Sequence, residues 1–230
     1  MFIWYQLYAL VHRWGLYTHG GIDGFSRLIV YLQCSAHNRS QDVLHPFVKA
    51  CQQYGLLSRV RSDHGSENLL VGLLMNVMRG SDRSSYITGR SVHNQRIERL
   101  WRDVHKNVTL KFYVHFYAME DERRSNVDSD VCRFALHTVF LPVVSKELND
   151  FRNAWNLHKM RTGHHRTPHQ LWMEGTVTAA DANSISEMTD LGRNLHGQLL
   201  DRLNQRVFRQ AALTTIAQQL QMRQVPRVHT

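Results

Sequence analysis

The chain has few cysteines and no long apolar run. Its 230 residues include three cysteines, Cys34, Cys51 and Cys132, an odd number without the spacing of a disulfide framework or a Cys-x-x-Cys zinc site. No apolar run approaches the roughly 18 residues that a membrane span needs. Residues 1–11 are apolar but have no basic residue in front of them, unlike a signal peptide. These absences favour a soluble protein of a reducing compartment, nuclear or cytoplasmic, with no membrane partner.

Lysine is also scarce, which shapes the charge of the chain. Only five of the 28 basic residues are lysines and 23 are arginines, and against 19 acidic residues the net charge is +9. Guanidinium presents a planar fork of donors that matches phosphate or carboxylate. The excess lies mainly in residues 1–115, where 14 basic and 7 acidic residues give a net +7. This composition favours a nucleic-acid partner, with a generally basic surface as the alternative.

Hydrophobic patterning predicts an α/β domain with a mixed sheet followed by helices. An apolar N-terminal strand precedes a β-hairpin over residues 15–34 that turns at Asp23-Gly24. A helix after Ser40, a strand at 58–62, a helix at 69–78 and a Gly- and Ser-rich loop at 79–92 follow. Further helices are predicted at 93–117, 130–141 and 142–159, with Pro142 separating the last two. The helical period is weak from residue 176 onward.

Two carboxylates are candidates for chemistry. Asp63 follows a short strand and precedes Gly65, so it is expected at the carboxyl end of a strand, where open α/β sheets place ligands. Glu98 shares a face of the predicted long helix with Asn94 and Arg102. Carboxylates among arginines suit a hard divalent cation such as Mg²⁺ beside a polyanion. The alternatives are a turn or cap role for Asp63 and a surface ion pair for Glu98.

Three longer motifs resemble the integrase catalytic core. They are residues 20–31 (GGIDGFSRLIVY), 59–68 (RVRSDHGSEN) and 87–101 (ITGRSVHNQRIERLW), and residues 151–156 and 166–172 are similar to the segment that closes that core. The resemblance covers residues 13–175 and points to the integrase-core-domain proteins that derive from domesticated or relic mobile elements. Residues 1–175 are thus expected to form an integrase-catalytic-core-like domain with an atypical N-terminal strand. Residues 176–230 are expected to be an appendage that is partly helical or disordered.

The resemblance implies a ribonuclease H-like fold, a mixed sheet flanked by helices. It also implies an Asp, Asp, Glu triad that binds two Mg²⁺ or Mn²⁺ ions for DNA hydrolysis and strand transfer. Asp63 matches the second acid and Glu98 the third, with 34 residues between them. The family's first acid lies in a Trp-x-x-Asp context on the strand before the hairpin, but residues 4–10 contain no acid.

Asp23 is the first acid of the chain and a possible substitute for the missing ligand. Because Asp-Gly is a hairpin-turn signal in its own right, a turn role is favoured over a metal-ligand role. The chain is then either a degenerate relative of the family or truncated or mis-spliced at its N-terminus relative to a longer active form.

Basic and amide side chains near the two acids are predicted to contact DNA phosphates. They are Arg61, Arg90, Asn94, Arg96, Arg99, Arg102 and Lys106. A second group, His158, His164, His165 and His169, lies in a basic loop and is predicted to contact solvent or the DNA backbone, with a metal site as the alternative.

Two hypotheses follow. The first is an integrase- or transposase-like DNA-binding domain related to two-metal phosphodiester hydrolysis and strand transfer, a polynucleotidyl transferase if active, with Asp63 and Glu98 as its remaining ligands. The second is a catalytically silent nucleic-acid-binding or protein-interaction module on the same fold. The intact motifs around Asp63 and Glu98 favour the first, and the missing first acid favours the second. DNA is the expected partner, and a homo-oligomer is expected by resemblance.

Overall fold

The computed structural model describes residues 3–80, 83–89 and 95–179. Five strands form one sheet: β1 (Ile3–Val11), β2 (Leu16–Asp23), β3 (Ile29–Ser35), β4 (Arg59–Ser62) and β5 (Tyr86–Thr88). Six α-helices accompany it: α1 (Ser40–Tyr54), α2 (Leu69–Arg79), α3 (Gln95–Val104), α4 (Leu110–Asp121), α5 (Asp130–Leu157) and α6 (Pro168–Ala179). A π-helical segment, His105–Thr109, joins α3 to α4.

The sheet has the strand order β3-β2-β1-β4-β5. The three strands from the first third of the chain pair antiparallel, whereas β4 pairs parallel to β1 and β5 pairs parallel to β4. This arrangement confirms the predicted α/β class, a ribonuclease H-like mixed sheet flanked by helices. In the register of the central strand, Gln6 lies beside Ser62 of β4 and beside Gly21 of β2. The end of β4 therefore lies next to the middle of β1.

Close packing of α3 on the sheet depends on a glycine. A Cβ atom added to Gly20 of β2 would lie 3.2 Å from Cη2 of Trp101 and 3.0 Å from Cδ1 of Leu32, tighter than ordinary van der Waals contact. The apolar stripe of α3 is thereby buried against β2, with Ile97, Leu100 and Trp101 at most 6% exposed. This contact fixes the helix that carries Glu98 over the sheet.

The C-terminal end of α5 is tied to the hairpin. The Asn156 side chain accepts a hydrogen bond from the Ile29 amide at 2.8 Å and donates one to the Ile29 carbonyl at 3.0 Å. Nε1 of Trp155 donates to the Arg27 carbonyl at 3.0 Å. These bonds hold the β2–β3 turn against residues 155–156, although more than a hundred residues separate them in the sequence.

The predicted break at Pro142 was wrong, because α5 runs unbroken from Asp130 to Leu157. Proline has no N–H to bond the carbonyl of residue 138, but both Pro142 and Thr138 are exposed, so water can bond that carbonyl. Leu136 and Val144, on either side of the proline, are both buried in the core. Continuous burial of the opposite face outweighs the lost bond.

The ends of the described region bear on two further expectations. A strand at residues 1–11 is confirmed for Ile3–Val11. Helix α6 continues to Ala179, so the first residues of the predicted appendage are helical, and residues 180–230 lie outside the described part. The described residues all belong to one compact unit, Met1–Ala182. None of the helices described is long and apolar enough to cross a membrane.

Candidate nucleic-acid interface and cation site

Asp63 follows β4 directly and lies in a loop that leads into α2. Its side chain is half-buried, and Oδ1 accepts a hydrogen bond from Nδ2 of Asn68 at 2.8 Å. The same amide donates to Oε1 of Glu67 at 3.3 Å, and Glu67 is buried. One amide therefore holds two carboxylates of the loop. Glu67 was not predicted as a site residue, because its burial depends on the tertiary fold.

The neighbouring strand β5 stiffens this loop through Tyr86. The Tyr86 hydroxyl lies 2.5 Å from Oγ of Ser62 and donates to the Asn68 carbonyl at 3.3 Å. Burial raises the pKa of Tyr86, and the negative charges of Asp63 and Glu67 raise it further, against the lowering effect of the bond to Ser62. The hydroxyl therefore stays protonated and fixes the start and the end of the loop.

The β1 strand brings no acid to Asp63. Its parallel pairing with β4 ends at Gln6 and Ser62, one residue before Asp63, and the strand Ile3–Val11 contains neither Asp nor Glu. Asp23 is level with Trp4, on the next strand. It is thus two strands away from Asp63, about 10 Å across the sheet, and about 10 Å along the strands, or roughly 14 Å in all. Asp23 cannot share a cation with Asp63 at that separation, since Mg²⁺–oxygen distances are about 2.1 Å.

One oxygen of the Asp23 carboxylate, Oδ2, is bonded within the turn between β2 and β3, and the other, Oδ1, is buried without a hydrogen-bond partner among the described residues. The residue is fully buried, and its Oδ2 accepts bonds from the amides of Phe25 at 3.2 Å and Ser26 at 2.7 Å and from the Ser26 hydroxyl at 2.7 Å. Burial raises the pKa of Asp23, and the bonds from Ser26 and Phe25 partly offset this effect. The side chain closes the turn from the inside.

Glu98 lies in the first turn of α3 and lines a cavity of about 750 Å³. The cavity is bounded by the β2–β3 turn, by α3 and by the end of α5 with the loop that follows it. Its cationic lining consists of Arg27, Arg99, Arg102, Lys159 and Arg161, joined by His158. Two carboxylates, Glu98 and Asp103, face these five permanent cations. We call this feature the basic cavity.

The structure brings only some of the predicted contact residues together. Arg99 and Arg102 line the basic cavity with Glu98, whereas Asp63 is not among the lining residues. Arg61 lies within β4, and its guanidinium lies next to Gly89. A Cβ atom added to Gly89 would be 3.2 Å from Nη2 of Arg61. Lys106 is exposed on the π-helical segment. Arg90 and Asn94 lie outside the described residues, and so does the side chain of Arg96.

Three cationic members of the basic cavity were missed as site residues in the sequence analysis. Arg27 stands in the hairpin motif, and Lys159 and Arg161 stand after α5. The signal for the latter two is the density of basic residues at 158–166, which includes the predicted His158 contact. No sequence pattern indicated that this loop meets the hairpin turn, because that meeting depends on the bonds from Trp155 and Asn156.

No third acid is placed beside Asp63 among the described residues. Strand β1 carries no acid next to Asp63, and Asp23 is held in its turn. The described side chains include no group of three or more His, Cys, Asp or Glu that could hold a metal ion. The alternative of a metal site in the loop with His158, His164, His165 and His169 is therefore not supported by its described residues. The roles of Asp63 and Glu98 as metal ligands stay predictions.

Comparison with known proteins gives one family and several structural neighbours. A family model described as integrase core domain matches residues 6–186. The HTLV-2 integrase catalytic core domain in complex with magnesium, in its trimeric form, is 17% identical, with a TM-score of 0.46, over 74% of this chain and 94% of that chain. A chain of the simian T-cell lymphotropic virus intasome in complex with PP2A regulatory subunit B56 gamma is 14% identical, with a TM-score of 0.49, over 74% of this chain and 53% of that chain. No curated protein matches the sequence.

Proposed function

This chain belongs to the integrase core domain family, and from that premise we propose that it is a DNA-binding domain whose phosphodiester chemistry is incomplete. The observation that carries the proposal is the basic cavity. Five permanent cations from three segments of the fold line one concave surface together with Glu98. These five cations outnumber the two carboxylates of the lining, Glu98 and Asp103, and a concave surface with an excess of one sign of charge attracts ligands of the opposite sign.

The cations of the basic cavity suit phosphate contact. Four of the five are arginines, whose planar fork bonds two phosphate oxygens at once. Arg27 is carried by the turn that Trp155 bonds at 3.0 Å, so its backbone is already positioned before a ligand arrives. Contacts to phosphate carry no base information, so we expect binding that depends on salt and little on sequence.

Phosphodiester cleavage is proposed to be impaired because strand β1 carries no acid. Two-metal phosphodiester cleavage places a cation on the attacking oxygen and another on the leaving oxygen, and shared carboxylates hold both ions. The central strand offers Gln6 beside the end of β4 and no acid along Ile3–Val11. Groups that act as a unit lose most of their effect when one is missing. We therefore expect cleavage far below that of a complete centre.

DNA binding is tested with the full chain and a labelled DNA that has both duplex and single-stranded arms, followed by fluorescence anisotropy at ~0.15 M salt. Each phosphate contact contributes about fourfold in affinity through counterion release at that salt. Arg102→Gln combined with Lys159→Gln should therefore weaken binding by more than tenfold. Arg123→Gln combined with Arg124→Gln is the matched control, since both are exposed and lie outside the basic cavity. Equal losses in the two double variants would contradict the proposal.

The chemical part is tested by nicking and strand transfer with Mn²⁺. The native chain should cleave no faster than Asp63→Asn, and Gln6→Asp, which returns an acid to β1, should raise cleavage above both. Cleavage by the native chain that disappears in Asp63→Asn would show a working centre and refute the proposed loss.

A further inference from the structure

The join between α3 and α4 contains one residue more than a straight α-helix would. In an α-helix each amide bonds the carbonyl four residues back. The amide of Leu110 instead bonds the carbonyl of His105, five residues back, across the π-helical segment His105–Thr109. A single π-helical turn within an α-helix is rare and is often found at functional sites. The extra residue sets α3 back by roughly 100° about the helix axis, since an α-helix has about 3.6 residues per turn.

This insertion aligns two apolar faces that would otherwise diverge. The buried residues of the two helices are Ile97, Leu100, Trp101 and Val104 on α3 and Phe112 and Phe116 on α4. In a straight α-helix the centres of these two faces would lie about 90° apart around the axis. The inserted residue takes back roughly 100° and leaves the two centres about 10° apart. Both faces therefore join the same hydrophobic cluster.

Each face is anchored by contacts that a rotation would break. On α3, a Cβ atom added to Gly20 of β2 would lie 3.2 Å from the Trp101 ring. On α4, the centroid of the Phe116 ring lies 5.3 Å from that of Trp14, before β2, and 4.8 Å from that of Phe140 on α5. A helix without the inserted residue cannot keep both sets of contacts.

The extra residue is accommodated on the solvent side of the helix. Nδ2 of Asn107 donates to the Asp103 carbonyl at 2.7 Å, and Nδ1 of His105 lies 3.0 Å from Oγ1 of Thr109. His105 and Asn107 are exposed, whereas Thr109 is buried. The first of these bonds joins the π-helical segment to Asp103, which lines the basic cavity. Removal of Asn107 therefore changes the residue count without removing a core side chain.

We propose that the π-helical segment is the positioning element of the basic cavity, because its extra residue sets the rotation that turns Arg99 and Arg102 toward the cavity. This inference rests on the proposed function, since DNA binding by those arginines is one of its readouts. The rings that hold α4 come from two other segments of the fold, so α3 is the helix that turns when the residue is lost. A helix is ~10–12 Å across, so a turn of about 90° moves a side-chain end by roughly 8 Å.

Deletion of Asn107 tests whether the residue count matters. The shortened chain should lose the contacts of Arg99 and Arg102 to a labelled forked DNA, a duplex with single-stranded arms. At ~0.7 counterions released per single-stranded phosphate contact, the log–log salt slope should flatten from about −3.5 to about −2.1. Affinity at ~0.15 M salt should fall by more than tenfold.

Two controls separate the count from other effects of the change. Asn107→Ala removes the side chain but keeps the count, and it should bind within about twofold of the native chain with the native slope. Deletion of Asn126 removes an exposed residue of the same type from the loop between α4 and α5 and should also leave the slope unchanged. Circular dichroism checks that each variant is folded.

Cysteine labelling reports the rotation of α3 without DNA. Ile97 is fully buried, so Ile97→Cys should react slowly with iodoacetamide, with the site identified by mass spectrometry. Ile97→Cys combined with deletion of Asn107 should react at least fivefold faster, because the rotation brings residue 97 toward solvent.

The outcomes distinguish this inference from the proposed function. A folded deletion variant with the native salt slope and slow labelling at residue 97 would overturn the inference, and so would Asn107→Ala as impaired as the deletion. A deletion variant that does not fold while Asn107→Ala does would support it, since only the count differs between them. Failure of the native chain to bind DNA would overturn the proposed function, and the labelling rates would then decide the role of the π-helical segment.

Discussion

The salt dependence of DNA binding gives a quantitative test of the basic cavity. The perturbation is Arg102→Gln, which removes one of its five permanent cations and leaves the buried face of α3 untouched, since Arg102 is exposed. Single-stranded DNA releases ~0.7 counterions per phosphate neutralised, so five contacts predict a log–log slope of about −3.5 and four predict about −2.8. Between 50 and 200 mM salt the affinity should fall about 130-fold for the native chain and about 50-fold for the variant.

The assay is fluorescence anisotropy with the forked DNA at five or more salt concentrations, with Arg124→Gln as the control. Arg124 is exposed in the turn after α4 and lies outside the cavity, so its removal changes the net charge by the same amount. A native slope shallower than about −1.5, or a slope that Arg102→Gln leaves unchanged, would refute the claim that the lining cations contact phosphates.

Three further predictions concern stability and reactivity. Asp23→Ala removes an acceptor of three hydrogen bonds in a buried turn and should lower the free energy of unfolding, measured in urea, by about 2–3 kcal/mol. Asp23→Asn should lower it by less than half of that amount. Equal losses in the two variants would contradict the turn role. Burial lowers the pKa of His19, so as the pH falls the unfolded chain takes up this proton before the folded chain does. The free energy of unfolding should therefore decrease as the pH drops through the unfolded pKa of ~6.5. His19→Gln should make this decrease smaller in denaturation curves measured between pH 8 and pH 5. Burial raises the pKa of Cys34 and of Cys51 to about 12, whereas a backbone hydrogen bond lowers the pKa of Cys132. Iodoacetamide should therefore label Cys132 before the other two thiols. Labelling of all three thiols at the same rate would contradict the burial of Cys34 and Cys51.

The first four strands of the sheet were predictable because their determinants are local. The prediction of a loop over residues 79–92 was wrong at β5 (Tyr86–Thr88), a three-residue strand that is defined by its parallel pairing with β4. The Asp23-Gly24 turn fixes the β2–β3 hairpin, and the continuously apolar run at 28–32 marks a strand covered on both faces. The placement of Asp63 directly after β4 follows from the short strand and the glycine beyond it. These signals lie within a few residues of the features that they predict.

The path of α5 was not predictable from Pro142 alone. A proline within a helical pattern predicts a helix boundary unless its position relative to the core is known. Here Leu136 and Val144 are buried on either side of Pro142, and the helix continues through it. Sequence spacing places both residues on a helical face. It does not show that the proline faces solvent, where the lost backbone bond costs least.

The basic cavity depends on long-range contacts and was only partly predictable. Arg99 and Arg102 were predicted from their nearness to Glu98 in the sequence. Arg27 and Lys159 come from segments 132 residues apart, and the Trp155 and Asn156 bonds to the hairpin bring them together. No periodicity encodes such a meeting, since each bond joins a side chain to a backbone atom of a distant strand or turn.

The scarcity of lysine provides the most direct test of where DNA binds. A forked DNA with an abasic aldehyde in its single-stranded arm forms an imine with a nearby lysine, which cyanoborohydride traps, and mass spectrometry then identifies the modified residue. Among the five lysines, only Lys159 lines the basic cavity, whereas Lys111 and Lys146 are exposed elsewhere on the described surface. The account predicts trapping mainly at Lys159. Trapping mainly at Lys111 or Lys146, with Lys159 unmodified, would contradict it.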